Sequence, residues 1–252
     1  MQAAWHSLRA VWRLMRMIAH GLHGLWLVWM RFPQLTPDQR HARIQWWSLK
    51  TLRVLGLELQ LHGQVRPGAT LIVANHVSWL DIMAMHAACP HARFVSKAQV
   101  HHWPLIGRLV DAAGTLYIER ERARDAMRVV HLMAEALSQG QTVAVFPEGT
   151  TADGHQLLPF HANLLQAAVA TATPIQPVAL RFSDAKAPVS EAAQFLGDTT
   201  LAQSLWRIAK GQGMVVTLRF LTSRATAHAE RRALAQRLRQ DIEDALTDLP
   251  VK

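Results

Sequence analysis

Hydrophobic and polar positions along this sequence follow two different periods, and the change from one to the other falls at Gly56. From Trp5 to Phe32, apolar residues recur at helical spacing, and basic side chains are separated by steps of four and three residues. These basic side chains are Arg9, Arg13, Arg16, His20 and His23. The pattern predicts a long amphipathic helix with one basic stripe and a Trp-rich remainder.

A second helix is predicted to start at Thr36 and to run to about Leu55. Pro33 ends the first helix, and Thr36 then has the features of an N-cap. Pro37 suits the first helical position, and Gln39 can close a capping box. The basic residues and tryptophans of this helix are Arg40, Arg43, Lys50, Arg53, Trp46 and Trp47. Together the two helices predict a basic, Trp-rich platform.

The rest of the chain alternates between strand-like and helix-like segments. Leu57 to Leu61 alternates with period two, and Leu71 to Ala74 is a short apolar run typical of a buried strand. Segment 185–213 is weakly patterned and predicts a surface excursion with one helix. The other predicted strands are 93–96, 115–118, 142–146, 175–180 and 214–221, and the predicted helices are 78–88, 104–113, 121–139, 159–170 and 228–246.

Strands that alternate with helices indicate an α/β fold with a mostly parallel central sheet covered by helices. We expect this domain to span residues 57–252, behind an N-terminal helical arm of residues 1–56. A chain of 252 residues, half of them hydrophobic, is long enough to bury one large core.

Charge and residue usage narrow the class of protein further. The net charge of +9 favours an anionic partner, such as phosphate groups, an anionic bilayer or nucleic acid. Nine tryptophans are typical of a membrane interface, where the ring is in an apolar layer and its N–H is hydrated. The single cysteine, Cys89, excludes an internal disulfide and a cysteine-ligated zinc site, and the histidine spacing indicates no metal site.

The N-terminal arm is expected to attach the protein to a membrane. The uninterrupted apolar part of its first helix, Met17 to Met30, is shorter than the ~20 residues that span a bilayer. A basic stripe with a Trp-rich opposite face fits a helix that lies in the membrane interface. The alternatives are a tilted or re-entrant span, a helix packed wholly on the protein, and a helical hairpin with a solvated basic face.

The segment from Leu71 to Asp81, LIVANHVSWLD, joins a buried strand directly to polar residues. Open α/β sheets usually place their sites at the C-terminal ends of such strands. The spacing predicts Ser78 as the N-cap of the next helix and Asp81 in its first turn, folded back beside His76. A carboxylate there accepts from one imidazole nitrogen and leaves the other to face a cleft as a base. In the structural alternative, Asp81 only caps a helix and His76 only hydrogen-bonds a turn.

A second buried strand ends at Phe146 and is followed by Pro147-Glu148-Gly149-Thr150. Glu148 needs a partner if it is buried, because an unpaired carboxylate is costly in an apolar environment. Gly149 lets the backbone approach a ligand and direct N–H groups toward an anion. The structural alternative is an ordinary Pro-Glu-Gly turn.

Two further strands end in basic residues. Glu119 and Arg120 follow the strand at 115–118, and the planar guanidinium of Arg120 suits a phosphate group. Lys97 follows the strand at 93–96 and supplies another positive charge. The structural alternatives are a surface salt bridge for Arg120 and a solvated side chain for Lys97.

Taken together, these segments resemble the glycerolipid acyltransferase family, specifically the bacterial 1-acylglycerol-3-phosphate acyltransferases, and they span roughly residues 57–221 in the family's order. Thr151 and Ala152 stand where the family usually has Arg and Ser, and this variant is also similar to lyso-ornithine lipid acyltransferases. The matching segments are Asn75-His76-Val77-Ser78-Trp79-Leu80-Asp81 for the motif Asn-His-x-Ser-x-x-Asp, Gly114 to Arg120 with its acid-Arg pair, Phe146-Pro147-Glu148-Gly149-Thr150, and the Pro-rich strand Pro174 to Val178.

The resemblance implies a membrane-associated enzyme that moves a fatty acyl group from acyl-CoA or acyl carrier protein to the hydroxyl of a lysophospholipid. Lysophosphatidic acid, converted to phosphatidic acid, is the first expected acceptor. The implied site consists of His76 as general base, Asp81 as its orienting carboxylate, Arg120 at the head-group phosphate, Glu148, Gly149 and Thr150 at the glycerol portion, and Asn75, Ser78 and Lys97 as further binding residues. No metal or cofactor is expected. The expected location is the cytoplasmic face of the inner membrane, either monotopic or with one short membrane helix.

Three other functions are considered beside this one. Lyso-ornithine lipid or another lysolipid as acceptor keeps the same chemistry. A hydrolase would use Ser78 as nucleophile with His76 and Asp81. A basic nucleic-acid-binding protein is the most distant alternative, since the basic residues accompany tryptophans and long apolar faces and no recognised nucleic-acid motif is present.

Overall fold

Two long helices begin the chain and an α/β sheet follows; the structure, a computed structural model, describes residues 2–118 and 123–249. The helices are α1 (Gln2–Met30), α2 (Pro37–Leu55), α3 (Leu80–Ala88), α4 (Ile106–Ala112), α5 (Ala123–Ser138), α6 (Gln166–Ala170), α7 (Leu201–Lys210) and α8 (Arg231–Thr247). The strands are β1 (Leu57–His62), β2 (Thr70–Ala74), β3 (Arg93–Lys97), β4 (Leu116–Ile118), β5 (Thr142–Val145), β6 (Ile175–Ser183) and β7 (Met214–Phe220). Short 3₁₀ turns lie at Phe32–Gln34, Ala98–His102 and Ala162–Leu165.

The described strands form one sheet in the order β1-β7-β6-β2-β5-β3-β4. Neighbouring strands are parallel except for β6 and β7, so β1 and β7 run opposite to the other five. The predicted mostly parallel sheet with helical cover is therefore confirmed.

The central strand β2 alternates its side chains between two apolar cores. Ile72 and Ala74 pack with residues of α2, α3 and α7 on one face, whereas Leu71 and Val73 pack with residues of α5, α6 and α8 on the other. All four are buried, which explains why the strand has a continuous apolar sequence. The polar residues after β2 therefore lie at the edge of a sheet that is covered on both sides.

The ends of α2 are built as the sequence predicts. Thr36 and Gln39 form a reciprocal capping box, with N···O distances of 3.4 and 3.0 Å. The helix ends at Gly56, which has φ of +88°, a conformation that favours glycine. A side chain at Gly56 would also collide with the guanidinium of Arg13 on α1.

The basic stripe of α1 lies partly against the protein. Arg13 donates hydrogen bonds to the backbone oxygens of Ala209 at 3.0 Å and Gly211 at 2.8 Å, and Arg9 donates to Gly211 at 3.4 Å. These oxygens lie at the C-terminal end of α7, where the helix dipole favours cations. His20 of the same stripe is buried. Arg9 and Arg13 thus fasten α1 to the sheet domain.

Unlike Arg9 and Arg13, which contact the protein, many of the apolar side chains of α1 are exposed. Trp29 is 75% exposed and Trp5 is 68% exposed. The exposed residues of this outer face recur every three or four positions and are Trp5, Leu8, Trp12, Met15, Ile18, Leu22, Trp26 and Trp29. In the part of the chain that the structure describes, every helix falls short of the length or the hydropathy that a membrane span requires.

Some predicted boundaries are wrong, each for a local reason. Helix α4 begins at Ile106 rather than Pro104, because Leu105 has φ of +66°. The helix predicted from residue 159 starts with the 3₁₀ turn at Ala162–Leu165. The chain before it is held to the preceding loop by the His161 N–H, which donates to the Pro147 oxygen at 2.8 Å.

Two C-terminal predictions also need correction. Helix α8 begins at Arg231 rather than residue 228, because the Glu230 carboxylate accepts from the first-turn amides and acts as its N-cap. Segment 185–213 contains one helix as predicted, but it is not only a surface excursion. Ser190 and Ala193, which belong to this segment, are fully buried.

Candidate active site

His76 and Asp81 lie side by side just beyond the C-terminal end of β2. The His76 Nδ1 is 2.6 Å from Asp81 Oδ2, and Asp81 is fully buried while 19% of the His76 side chain is exposed. Because a carboxylate can only accept a hydrogen bond, Nδ1 of the neutral imidazole carries the proton and Nε2 keeps a lone pair. This arrangement has the geometry of a general base with an orienting acid.

The same carboxylate oxygen of Asp81 also organises the turn before α3. It accepts from the backbone N–H of Val77 at 2.7 Å and of Ser78 at 2.9 Å. The prediction that Ser78 caps the helix is wrong: α3 begins at Leu80, with Trp79 in the N-cap position and no side-chain cap. The first-turn amides have backbone partners instead: the Asp81 N–H donates to the Ser78 oxygen at 3.1 Å, and the Ile82 N–H donates to the Trp79 oxygen at 3.3 Å. Ser78 Oγ is buried without a hydrogen-bond partner among the described residues, which does not suit a nucleophile.

Glu148 links the His76 loop to the loop after β5. Its Oε1 accepts from the His76 N–H at 2.8 Å, and its Oε2 accepts from the Leu158 N–H at 2.9 Å. The register of the strands explains this contact, since Thr70 pairs with Thr142 and the same offset brings position 76 opposite position 148. Burial raises the pKa of Glu148 above its ordinary value, and the two backbone N–H groups oppose that increase.

A row of aromatic rings continues from the imidazole of His76. Phe146 stacks on it with ring centroids 4.1 Å apart and an interplanar angle of 8°. Phe94 stacks on Phe146 at 5.8 Å. The stacking of Phe146 on His76 was not predicted from the sequence. The available signal was the aromatic residue Phe146 directly after β5.

Asn75 binds the neighbouring strand β6. Its side-chain amide donates to the Leu180 oxygen at 2.8 Å, and the Leu180 N–H donates to the Asn75 side-chain oxygen at 2.8 Å. The side chain is buried, and both ends of the amide are engaged with backbone. Asn75 therefore extends the attachment of β2 to β6 up to the residue before His76.

The loop after β5 approaches His76 from the other side. Gly149 has φ of +73° and donates its N–H to the Phe146 oxygen at 3.1 Å. The Ala152 N–H donates to the His76 oxygen at 2.7 Å. Thr150 lies between them and, like Gly149, borders the cavity described below.

Thr151, which stands where the resembling family usually has arginine, has a structural partner. Its hydroxyl donates to the backbone oxygen of Phe195, and the Phe195 N–H donates to the Val77 oxygen at 3.1 Å. The segment around Phe195 therefore joins the loops after β2 and β5. This contact was not predicted, because the segment is weakly patterned.

Of the two basic residues predicted for the site, the structure describes the backbone of Lys97 but not Arg120. Lys97 closes β3, and its side chain is not among those described. Arg120, with Glu119, lies outside the described residues and follows β4. Because β3, β4 and β2 run in the same direction, the ends of β3 and β4 share the sheet edge of His76.

An apolar cavity of about 810 Å³ opens beside His76. In the described lining, the charged or titratable side chains besides His76 are Arg43 and His86. Burial lowers the pKa of His86 to about 4. The apolar lining comes from the N-terminal helices, α3, α4 and the strand ends, and includes Met17, Leu22, Leu25, Trp79, Met83, Val95 and Leu109.

Possible metal ligands and the single cysteine are the remaining reactive groups in the described part of the chain. No group of three or more His, Cys, Asp or Glu residues there is arranged to hold a metal ion. Cys89 is fully buried, and burial raises the pKa of its thiol to about 12. The thiolate form is therefore scarce at neutral pH.

Comparisons with known proteins agree with one another. A family model described as Acyltransferase matches residues 58–181. The lyso-ornithine lipid O-acyltransferase of Pseudomonas aeruginosa is 34% identical over 239 residues, which cover 93% of this chain and 91% of that protein. The 1-acyl-sn-glycerol-3-phosphate acyltransferase of Neisseria gonorrhoeae is 34% identical over 195 residues, which cover 77% and 76% of the two chains.

The fold has a solved counterpart as well. The crystal structure of the 1-acyl-sn-glycerophosphate acyltransferase of Thermotoga maritima superposes with a TM-score of 0.75 over 100% of both chains, at 17% sequence identity. At 17% identity this likeness shows the fold alone. The family is shown by the Pseudomonas and Neisseria relatives, at 34% identity, together with the family model. This chain therefore belongs to the acyltransferase family that contains the 1-acylglycerol-3-phosphate and lyso-ornithine lipid acyltransferases, and it is an acyltransferase.

Proposed function

We propose that this enzyme transfers a fatty acyl group from an acyl thioester directly to the free hydroxyl of a lysolipid, with His76 as general base. The observation that carries the proposal is the His76–Asp81 pair, 2.6 Å apart, at the border of a large apolar cavity. An imidazole with one nitrogen held by a buried carboxylate can take a proton with the other.

In the proposed step, the lysolipid hydroxyl attacks the thioester carbonyl while Nε2 of His76 removes its proton. An oxygen–carbon bond forms, and the carbon–sulfur bond breaks. The departing thiolate takes up a proton, and His76 returns to its neutral form. Asp81 keeps the imidazole in the required tautomer and stabilises the imidazolium. Because the acceptor hydroxyl is itself the nucleophile, no acyl-enzyme forms, and the buried position of Ser78 is consistent with this route.

Glu148 and Asn75 support the base in this proposal. Glu148 uses both carboxylate oxygens on the N–H groups of His76 and Leu158, and Asn75 uses both ends of its amide on the backbone of Leu180 in β6. We therefore assign them to positioning rather than to direct substrate contact. Gly149 and Thr150, which border the cavity, remain the proposed contacts for the glycerol portion.

The acceptor head group is proposed to bind at the same sheet edge. Lys97 closes β3 at this edge, Arg120 follows β4 in the sequence, and cations suit an anionic head group. Lysophosphatidic acid is the first candidate acceptor. A second candidate is lyso-ornithine lipid, which has no phosphate. It is favoured by Thr151, because the family usually has a phosphate-binding arginine at this position, whereas the Thr151 hydroxyl donates to a backbone oxygen.

The fatty acyl chain is proposed to occupy the cavity beside His76. Its lining is mostly apolar, and its volume of about 810 Å³ suits a long hydrocarbon chain. Residues of α1 and α2 form part of that lining, so the N-terminal helices contribute to the substrate site as well as to attachment.

We propose that residues 1–56 hold the enzyme on the cytoplasmic face of the cell membrane, with α1 in the interface plane. The guanidiniums of Arg9 and Arg13 bind the protein, while the tryptophans and leucines of the outer face are exposed. Such a face is stable when it is buried in the acyl region of a bilayer. Acyl-CoA and acyl carrier protein are water-soluble donors that reach the enzyme from the cytoplasm. With α1 in the membrane interface, the cavity that α1 helps to line lies close to the lipid acceptor.

A panel of lysolipid acceptors tests the proposed function. Purified enzyme on vesicles is given labelled acyl-CoA or acyl carrier protein thioester, with lysophosphatidic acid, lyso-ornithine lipid or other lysolipids, and the products are separated by thin-layer chromatography. The proposal expects acyl transfer to at least one lysolipid. Release of free fatty acid with no acylated lipid would contradict it and favour a hydrolase.

A further inference from the structure

His86 is a polar residue in an apolar place. It lies on α3, its side chain is only 3% exposed, and it lines the cavity assigned to the acyl chain. Its Nδ1 is buried with no hydrogen-bond partner among the described residues. A buried polar atom of this kind is costly unless a bound group supplies the missing hydrogen bond.

The position of His86 relative to the catalytic base is set by the row of aromatic rings. His76 stacks on Phe146, Phe146 stacks on Phe94, and the ring of His86 meets Phe94 edge-on, with centroids 4.9 Å apart at 71°. His86 therefore lies three ring contacts away from the base. An acyl chain that starts at His76 and follows this wall passes His86 part-way along its length.

We propose that His86 is a specificity-determining residue that hydrogen-bonds a hydroxyl group carried part-way along the bound acyl chain. The inference rests on the proposed function, because it takes the cavity to be the acyl site. A hydroxyl can donate to one imidazole nitrogen or accept from the other, and in an apolar cavity such a bond is strong. A site built to bind a hydroxyl also disfavours the analogue that lacks it, since the imidazole is then left unpaired.

The test compares three acyl donors of one chain length. One has no hydroxyl, one has a hydroxyl next to the thioester, and one has a hydroxyl near the middle of the chain. Values of kcat/KM are measured for the full-length wild-type enzyme and for His86→Phe, with coenzyme A and acyl carrier protein thioesters. Met85→Leu is the matched control, because Met85 is a fully buried neighbour on α3 that does not line the cavity.

The wild type is expected to prefer the mid-chain hydroxyl over the unsubstituted chain by about tenfold, the effect of one neutral hydrogen bond. His86→Phe is expected to abolish that preference and to use the unsubstituted chain better, whereas Met85→Leu keeps the wild-type ratio. A purely structural role for His86 would change all donors by the same factor.

The inference is overturned if the wild type shows no dependence on the hydroxyl position, or if His86→Phe keeps the wild-type ratio. Should His86→Phe fail to fold, the wild-type comparison of hydroxyl positions decides the matter alone. Transfer with no dependence on the hydroxyl contradicts only this inference. Absence of transfer from every donor contradicts the proposed function as well.

Discussion

At the scale of single residues, Asp81 combines two tasks in one carboxylate oxygen. That oxygen binds the His76 imidazole and the backbone N–H groups of Val77 and Ser78. Replacement by alanine would leave these buried N–H groups unpaired and destabilise the fold by about 2–4 kcal/mol. Asparagine keeps an acceptor oxygen and is the better probe of catalysis.

We therefore expect Asp81→Asn to remain folded and to lower kcat by about 10³-fold, because the imidazole loses its orienting anion. Steady-state kinetics and thermal unfolding measure the two effects separately. Asp38→Asn is the matched control, since Asp38 is an exposed acid at the start of α2. An Asp81→Asn enzyme with nearly wild-type kcat would exclude the orienting role.

Glu148 distinguishes positioning from substrate binding. Glutamine has one carbonyl oxygen, so Glu148→Gln leaves either the His76 or the Leu158 N–H without its acceptor. We expect kcat to fall by about tenfold or more, while KM for the acceptor changes by less than about threefold. A large increase in KM with unchanged kcat would show instead that Glu148 binds the acceptor.

The buried imidazole of His86 predicts a pH dependence of stability. Burial, with a smaller contribution from nearby His41, lowers its pKa from 6.5 to about 4. The unfolded chain therefore binds the proton more readily, so the stability contributed by neutral His86 is full above pH 6.5 and is lost as the pH falls toward 4. Between pH 7 and pH 4 the wild type should lose about 3 kcal/mol more unfolding free energy than His86→Phe.

Denaturant unfolding at several pH values measures this difference. His20, whose pKa is also lowered by burial, is present in both proteins and cancels in the comparison. Parallel pH profiles for the two proteins would show that His86 is not held neutral by the fold.

At the scale of elements, α1 shows what an amphipathic pattern reveals and what it leaves open. The spacing of its residues predicts both a basic stripe and an apolar remainder, and both are present. The orientation was not predictable, because two of the arginines bind the C-terminal end of α7, which lies far away in the sequence. Only the assembled fold shows that the apolar face of the helix is the outer one.

The outer face of α1 can be tested without removing the helix. Trp12 is 58% and Trp29 is 75% exposed, so changing both to serine should leave the fold intact. Each indole buried in a bilayer contributes roughly 2 kcal/mol or more, so vesicle binding should weaken by at least about 100-fold.

Co-sedimentation with vesicles measures this partitioning. Met127→Ser is the control, because Met127 is an exposed apolar residue on α5, which covers the other face of the sheet. Unchanged binding of the double tryptophan variant would place the membrane contact elsewhere.

Element boundaries illustrate a second limit of sequence reasoning. The capping box at Thr36 and the stop at Gly56 were predictable because their signals lie within a few residues. The role of Ser78 was not, because its hydroxyl and its backbone oxygen compete for the Asp81 N–H, and the backbone oxygen accepts it, at 3.1 Å. Local pattern alone does not decide such a competition.

At the scale of the whole molecule, the parallel sheet determines which distant residues meet. His76 and Glu148 are brought together because β2 and β5 are adjacent and in register, and each is followed by a polar loop. The sequence predicts strands with polar ends and therefore a site at one edge of the sheet. The strand order, the aromatic row and the cavity beside α1 depend on long-range packing, so they appear only in the folded protein.

The central claim is that His76 removes the proton from the lysolipid hydroxyl. The most direct measurement is the initial rate of labelled acyl transfer by His76→Ala and by wild type, on the same vesicles and with the acceptor that the wild type uses best. We predict that His76→Ala binds the vesicles, unfolds at nearly the wild-type temperature, and transfers acyl groups at least about 10³-fold more slowly. A His76→Ala rate within a few-fold of wild type would contradict the account.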